Sequence, residues 1–374
     1  MRGRDRVLIT GGAGFIGSHL ADALLARGYR VRVLDSLSEQ VHRGSRAFPA
    51  YLSHAVEALH GDVRCLADVS RALVDVDAVV HLAAAVGVGQ SMYEIEAYTD
   101  INIRGTAVLL ETLLRRPVGK LIVASSMSIY GEGLYCSRDG RACAPMPRSP
   151  RQLASGSWEL HDEQGQVLEP VPTPETKTAC PESIYALSKQ TQETMCLIFG
   201  RSYGVPVVAL RFFNVYGERQ ALENPYTGVL AIFAARYLTG KPPVIFEDGQ
   251  QRRDFVHVRD LAQACVLALE KPAARDVVLN IGSGCAHAVL EVATRLGAVL
   301  GKPDIKPQVC GRYRAGDIRN CFADISRAQT VLGFAPQVRL DEGLAELGAW
   351  LAGSNIEDRS EEAARELRRR GLVA

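Results

Sequence analysis

The chain has 374 residues, 47% of them hydrophobic, and its 43 Lys and Arg nearly balance its 42 Asp and Glu, for a net charge of +1. That length predicts a large core and two joined domains, and the near-neutral balance argues against a nucleic-acid or membrane-surface partner. No apolar run approaches the ~20 residues that span a bilayer, the first strand leaves no room for a secretory signal, and the 9 cysteines lack a disulfide rhythm. A cytoplasmic protein with reduced thiols is expected.

Short apolar runs at Val7–Thr10, Val31–Leu34, Ala78–Leu82 and Leu121–Ala124 alternate with amphipathic helical patterns. Val207–Arg211 repeats the signal further on. This predicts an α/β fold, a Rossmann-type doubly wound parallel sheet whose ligands sit at the carboxyl ends of the strands. The first run leads into Thr10-Gly11-Gly12-Ala13-Gly14-Phe15-Ile16-Gly17. In such a turn Gly11 permits the tight bend, Gly14 lets a pyrophosphate approach the backbone, and Gly17 lets helix and strand pack closely. The helix opening at Phe15 and Ile16 then offers free N–H donors to phosphate. Asp35, ending the second strand, is suited to the ribose hydroxyls of an adenosine and repels a 2′-phosphate, so NAD is expected over NADP. Asp62, followed by Val63, is placed against the adenine.

The strand Leu121–Ala124 ends in Ser125-Ser126-Met127-Ser128, which sets a hydroxyl at the centre of the expected crevice. Residues 132–180 then form an insertion rich in Pro, Gly and charge. Two similar pieces recur in it, Tyr135 to Arg141 and Leu160 to Gln166. They outline a pair of zinc knuckles with half the ligands absent, since Asp139 and Gln164 are poor ligands. A metal-free insertion is expected. Beyond it, Tyr185-Ala186-Leu187-Ser188-Lys189 places a phenol and an ammonium one helical turn apart. The ammonium would lower the tyrosine pKa from ~10 and make it an acid/base group, and Lys189 would also reach the nicotinamide ribose.

Residues 1–215 are read as the NAD-binding domain and 216–353 as a smaller, interleaved α/β substrate domain. In the latter, Asp254–Val258 reads as a strand returning to the core within 250–265. Residues 354–374 are read as a charged tail whose helix is solvated.

Taken with His81-Leu82-Ala83-Ala84, Asn102-Ile103-Arg104-Gly105-Thr106, Arg211-Phe212-Phe213-Asn214-Val215-Tyr216-Gly217, Arg253 to Asp260 and Arg314 to Arg319, these motifs resemble the extended short-chain dehydrogenase/reductase superfamily, in its NAD-dependent nucleotide-sugar epimerase and dehydratase branch. The resemblance implies a catalytic trio of Ser126, Tyr185 and Lys189. It implies cofactor contacts at Leu82, Ala83, Ala84 and Asn102, and sugar-nucleotide contacts at Ser128, Asn214, Arg253 and Arg319, the arginines suited to a diphosphate. Ala288 stands where a Ser is frequent and Ala315 where Pro is usual. A homodimer is implied, and no metal.

Dehydratases of this branch carry Asp-Glu where this chain has Met127-Ser128, and elimination of water needs an acid and a base there. The resemblance therefore implies 4-epimerisation through a 4-keto sugar. Ser125 to Gly133 with the insertion is similar to bacterial epimerases of dTDP-L-rhamnose, in which the insertion resembles a zinc ribbon. Epimerisation of a UDP-hexose or UDP-uronate, 4,6-dehydration, 4-ketoreduction and NAD binding without catalysis stay open at this point.

Overall fold

Seven parallel strands form the central sheet: β1 (Arg6–Thr10), β2 (Arg30–Asp35), β3 (Glu57–His60), β4 (Ala78–His81), β5 (Lys120–Ser126), β6 (Val207–Phe212) and β7 (Val277–Ile281), in the order β7-β6-β5-β4-β1-β2-β3. The computed structural model describes residues 5–45, 47–143, 145–222, 224, 226, 228–314, 316–352 and 358–373. Ala315 and the start of the tail, with Asn355, lie outside the described residues.

Every residue of β5 and β6 is buried. Such strands read as unbroken apolar runs because helices cover both faces of a parallel sheet. On one face α1 (Phe15–Ala26) packs with α3 (Val258–Glu270), through Leu20, Ala21 and Leu24 and through Leu261, Ala264 and Cys265. On the other, Cys196 and Phe199 of α2 (Ile184–Tyr203) join Leu109 and Leu113 of the helix Gly105–Arg115. Strand β1 lies between β2 and β4, with Thr10 beside Leu34 on one side and His81 on the other. The strand order reverses there, which opens the ligand crevice at the carboxyl ends. A separate core, built from Leu230, Phe233, Tyr237, Val292, Leu296 and Leu347, supports the region after residue 216.

The strand read at Asp254–Val258 is present as Phe255–His257, paired with Asn214–Tyr216 beside the main sheet with Val256 in the main core, and α3 and β7 carry the return on to Ile281. Two features differ from the sequence reading. The edge strand β3 was not foreseen. The tail helix, Ser360–Arg369, is docked rather than solvated: Ala363 and Leu367 are buried, Leu367 lies against Gly89, and the Arg370 guanidinium sits 4.2 Å from the centre of the Tyr93 ring. An apolar pair four residues apart is enough to give this charged helix an inner face.

The insertion makes a three-stranded antiparallel sheet from Leu134–Cys136, Ala142–Cys143 and Glu169–Val171, over a small core of Tyr135, Leu160 and Leu168. Both knuckle-like pieces are hairpin turns. Gly140 and Gly165 have φ +81° and +77°, and the Asp162 carboxylate accepts from the N–H of Gln164 and Gln166 at 3.0 and 2.8 Å. Among the described residues no cluster of three His, Cys, Asp or Glu is arranged to hold a metal ion.

A buried ion pair ties the central elements together. Arg211 on β6 makes a forked contact with Glu193 on α2, Nη2 to Oε1 at 2.6 Å and Nε to Oε2 at 3.0 Å, and Ser125 Oγ donates to Glu193 Oε2 at 2.6 Å. The Glu193→Gln variant leaves the guanidinium with a neutral partner in a dry site. We expect it to cost on the order of 3 kcal/mol, read as a lower urea midpoint at unchanged m-value. A change under about 1 kcal/mol would show the pair to be dispensable.

Candidate active site

The glycine turn is built as its spacing implies. Gly11 adopts φ +70°, and a Cβ there would lie 2.9 Å from Ala83 N; a Cβ on Gly17 would lie 2.5 Å from Gly11 O. At Gly14 a Cβ would meet only Gly11 O, at 3.4 Å, and would otherwise project into open space. The side of the turn that a phosphate needs is therefore clear. Helix α1 starts directly after it with no side-chain cap and no acidic residue in its first turn, so its first N–H groups remain available to an anion.

Asp35 is buried at the end of β2 and accepts from Ala13 N and Leu37 N, both at 2.9 Å. A carboxylate has about four acceptor sites, so capacity for a ribose diol remains. Asp62 is engaged by Arg64, whose Nε and Nη2 donate to it at 3.0 and 2.6 Å. Val63 is buried against the core beneath. Leu82, Ala83 and Ala84 lead from β4 across the crevice, with Leu82 N and Ala83 N bonded to Thr10. Asn102 lies in a π-helical turn, Asp100–Arg104, that drives its side chain inward, where it accepts from Ala85 N at 2.7 Å and donates to Ser188 Oγ at 2.8 Å.

Ser126 ends β5 and accepts from Ser128 N and Ser128 Oγ at 3.2 and 2.8 Å. The Tyr185 phenol comes from α2 to lie beside the Ser126 hydroxyl, and the Tyr98 ring stands edge-on to it at 6.4 Å. Lys189 lies on the same face, almost wholly buried, but its Nζ donates to Gln192 Oε1 at 2.7 Å. The expected acidification of Tyr185 by Lys189 is not what this arrangement gives. Burial pushes the phenol above its ordinary range, and the opposing influence is the neighbouring Ser126 hydroxyl. Burial likewise pushes the Lys189 ammonium down to about 8, against the pull of Cys196 and Glu193.

Sequence reasoning missed the polar chain beneath. Thr10 Oγ1 contacts His81 Nδ1 at 2.7 Å, His81 Nε2 contacts Thr106 Oγ1 at 3.0 Å, and Gln192 Nε2 donates to Thr106 Oγ1 at 2.8 Å. Thr106 gives its own proton to Asn102 O, which leaves His81 to donate through Nε2 and accept at Nδ1. Burial, reinforced by Lys189, holds the imidazole near 3, so it stays neutral. The signal for this role was a histidine at the carboxyl end of a central strand.

The sugar-nucleotide assignments divide. Asn214 Oδ1 is buried with no partner among the described residues. Arg253 is spent on main-chain oxygens, donating to Arg252 O, Arg319 O and Ile318 O at 2.9, 2.8 and 2.5 Å. Arg319 requires a correction: it is 1% exposed and locked to Glu247, Asp248 and Glu159 at 3.0, 2.6 and 2.5 Å. Three carboxylates already pair with its charge, while its buried Nε has no partner among the described residues. Within the same motif the open guanidinium is that of Arg314, stacked 4.7 Å above Phe246 and paired with Asp317.

Residues 7–282 match the model of the NAD dependent epimerase/dehydratase family. The chain is 34% identical over 351 residues to the dTDP-L-rhamnose 4-epimerase of Burkholderia thailandensis, covering 93% of this chain and 95% of that one. Its fold is similar to that of the UDP-glucose 4-epimerase of Thermotoga maritima, solved with UDP-glucose (TM-score 0.76, 31% identity, 93% and 98% of the two chains). It is also similar to the Thermus thermophilus UDP-glucose 4-epimerase solved with NAD (TM-score 0.74, 31% identity, 94% and 100%). With an open glycine turn, a carboxylate at the end of β2 and a matched model over most of its length, this chain belongs to the NAD-dependent epimerase/dehydratase family.

Proposed function

We propose that this chain is an NAD-dependent nucleotide-sugar 4-epimerase. The observation that carries the reading is the Tyr185 phenol brought beside Ser126 at the carboxyl end of β5. Bound NAD supplies a hydride acceptor that becomes the donor in the second half of the cycle. The turn Gly11 to Gly17 with Phe15 and Ile16, Asp35, Asp62, Val63, the segment Leu82–Ala84, Asn102, Tyr185 and Lys189 would hold it.

Tyr185 would exchange the proton of the C4 hydroxyl through its phenol oxygen, and Ser126 would hydrogen-bond the same C4 oxygen. With NAD as acceptor and then donor, inversion would require the keto sugar to turn over in the crevice, and Tyr185 would give the proton back to the C4 oxygen. Ser128, Asn214 and Arg253 line the sugar-nucleotide side, with Arg314 in the diphosphate role first read for Arg319. Dehydration is disfavoured, because Met127 is buried and the Ser128 hydroxyl is committed to Ser126.

The relative at 34% identity supports dTDP-L-rhamnose as substrate, with dTDP-6-deoxy-L-talose as product. The solved neighbour holding UDP-glucose supports a UDP-hexose as the second reading. The protein is proposed to act in the cytoplasm as a homodimer. Leu187 and Ile198 lie 48% and 51% exposed on one face of α2, and Leu114, also 48% exposed, lies on the helix Gly105–Arg115 that packs against α2. Two such helices meeting their counterparts would cover that patch. Ile198→Glu should convert a dimer to a monomer by light scattering.

NMR of the protein with dTDP-L-rhamnose, UDP-glucose or UDP-glucuronate, with no added cofactor, should show the C4 epimer of one of them. A 4-keto-6-deoxy product, or no change until a reductant and keto sugar are supplied, would replace epimerisation with dehydration or reduction. Tyr185→Phe should lower kcat by roughly 10²–10⁴-fold while NAD remains bound. Asp35→Ala should weaken NAD relative to NADP in a binding titration; unchanged discrimination would remove Asp35 from the cofactor site.

A further inference from the structure

The loop between β2 and β3 crosses the mouth of the glycine turn. Within it Tyr51 Oη donates to Ala13 O at 2.9 Å, in the middle of the turn. The exposed side of the Tyr51 ring carries the guanidinium of Arg219, 5.4 Å from its centre. Arg219 comes from the other end of the crevice, three residues beyond the strand Asn214–Tyr216. Its Nη1 is anchored to Asp22 Oδ2 on α1 at 2.7 Å, and His19 Nε2 donates to the carbonyl of the preceding Glu218 at 3.1 Å.

Arg219 adopts φ +66°, a left-handed conformation that costs an arginine free energy and persists only where its surroundings hold it. Behind Tyr51 the same loop lines a cavity of about 310 Å³ through Val41, His42, Phe48 and Pro49. His42 Nε2 lies 3.8 Å from Asp35 Oδ1, so this cavity adjoins the adenosine end of the crevice.

A dinucleotide with its pyrophosphate on Gly11–Gly17 and its adenosine against Asp35 would pass beside these two segments. We propose that Tyr51 and Arg219 form a clasp that shuts over the adenosine-diphosphate half of the cofactor and sets its rate of escape. Neither residue is required by the turn or by the ribose contact. A 4-epimerase returns the hydride to the molecule that gave it, so a cofactor that leaves in mid-cycle strands the keto sugar. The clasp thus rests on the proposed reaction for its purpose, and on NAD binding alone for its test.

The test uses full-length protein loaded with NADH and chased with excess NAD, following the loss of bound-NADH fluorescence in a stopped-flow instrument. Arg219→Ala and Tyr51→Phe should each speed release by about 3- to 10-fold, the effect of one cation–π contact or one hydrogen bond. The double variant should gain less than the product of the two, since the residues act as a unit. Arg219→Lys should recover part of the loss, which separates the clasp from a folding defect. Release rates unchanged from the parent, or single effects that multiply, would overturn the clasp. Absence of NADH binding to the parent would overturn both the clasp and the cofactor assignment, whereas slow release without epimerase activity would remove only the proposed reaction.

Discussion

The meeting of Ser126 and Tyr185 depends on an ion pair that neither of them touches. Glu193 lies two helical turns beyond Tyr185, and the Ser125 hydroxyl that binds it is the residue before Ser126. Arg211 grips the same carboxylate from β6 and also donates to Tyr130 Oη at 2.8 Å; Tyr130 donates in turn to Asn280 Oδ1 of β7 at 2.7 Å. One charged pair thereby fixes the register of α2 against three strands. Buried pairs of this kind add little net stability over an apolar contact, because both ions are stripped of water. What they resist is sliding, since an apolar helix face tolerates a shift that a forked ion pair does not.

The crevice floor follows a different rule. Thr10, His81, Thr106 and Gln192 are all fully buried polar groups joined end to end, and every member can be satisfied only with the imidazole neutral. Such a chain is stiff and carries no charge to the carboxyl ends of the strands. It reaches Lys189 through Gln192, so the lysine is held by a neutral amide. Burial holds that ammonium down to about 8, against the pull of Cys196 and Glu193.

Much of this was legible in the sequence. Strands β1, β2, β4, β5 and β6 announced themselves because burial on both faces writes an unbroken apolar run. Strand β3 did not, since Glu57-Ala58-Leu59-His60 is a partly exposed edge. Strand β7 was masked by the Gly282-Ser283-Gly284 turn that follows it. Gly11, Gly14 and Gly17 could be assigned because their roles depend on local geometry alone. Arg314 and Arg319 could not be told apart, because the carboxylates that bury Arg319 lie at 159, 247 and 248, far away in sequence. The same holds for Tyr51 and Arg219, 168 positions apart by their numbers.

The insertion shows how such long-range charge can take over from local scaffolding. In each knuckle-like piece an Asp closes the turn from within: Asp162 accepts two main-chain N–H groups, and Asp139 accepts from the Ser137 hydroxyl. Turn closure of this sort needs only one side chain and no ion. What a closed turn cannot do is fix the insertion to the rest of the molecule. That task falls to Arg148, which pairs with Glu247 at 2.8 Å, and to Glu132, which accepts from the N–H groups of Arg319 and Asn320 at 2.6 and 3.1 Å. Lys177 completes the attachment by donating to Tyr130 O at 2.8 Å, on the turn that begins at Ser126. The insertion is therefore bolted to the turn after β5 at one side and to Glu247, Arg319 and Asn320 at the other, which makes its position a quantity that its charged residues control.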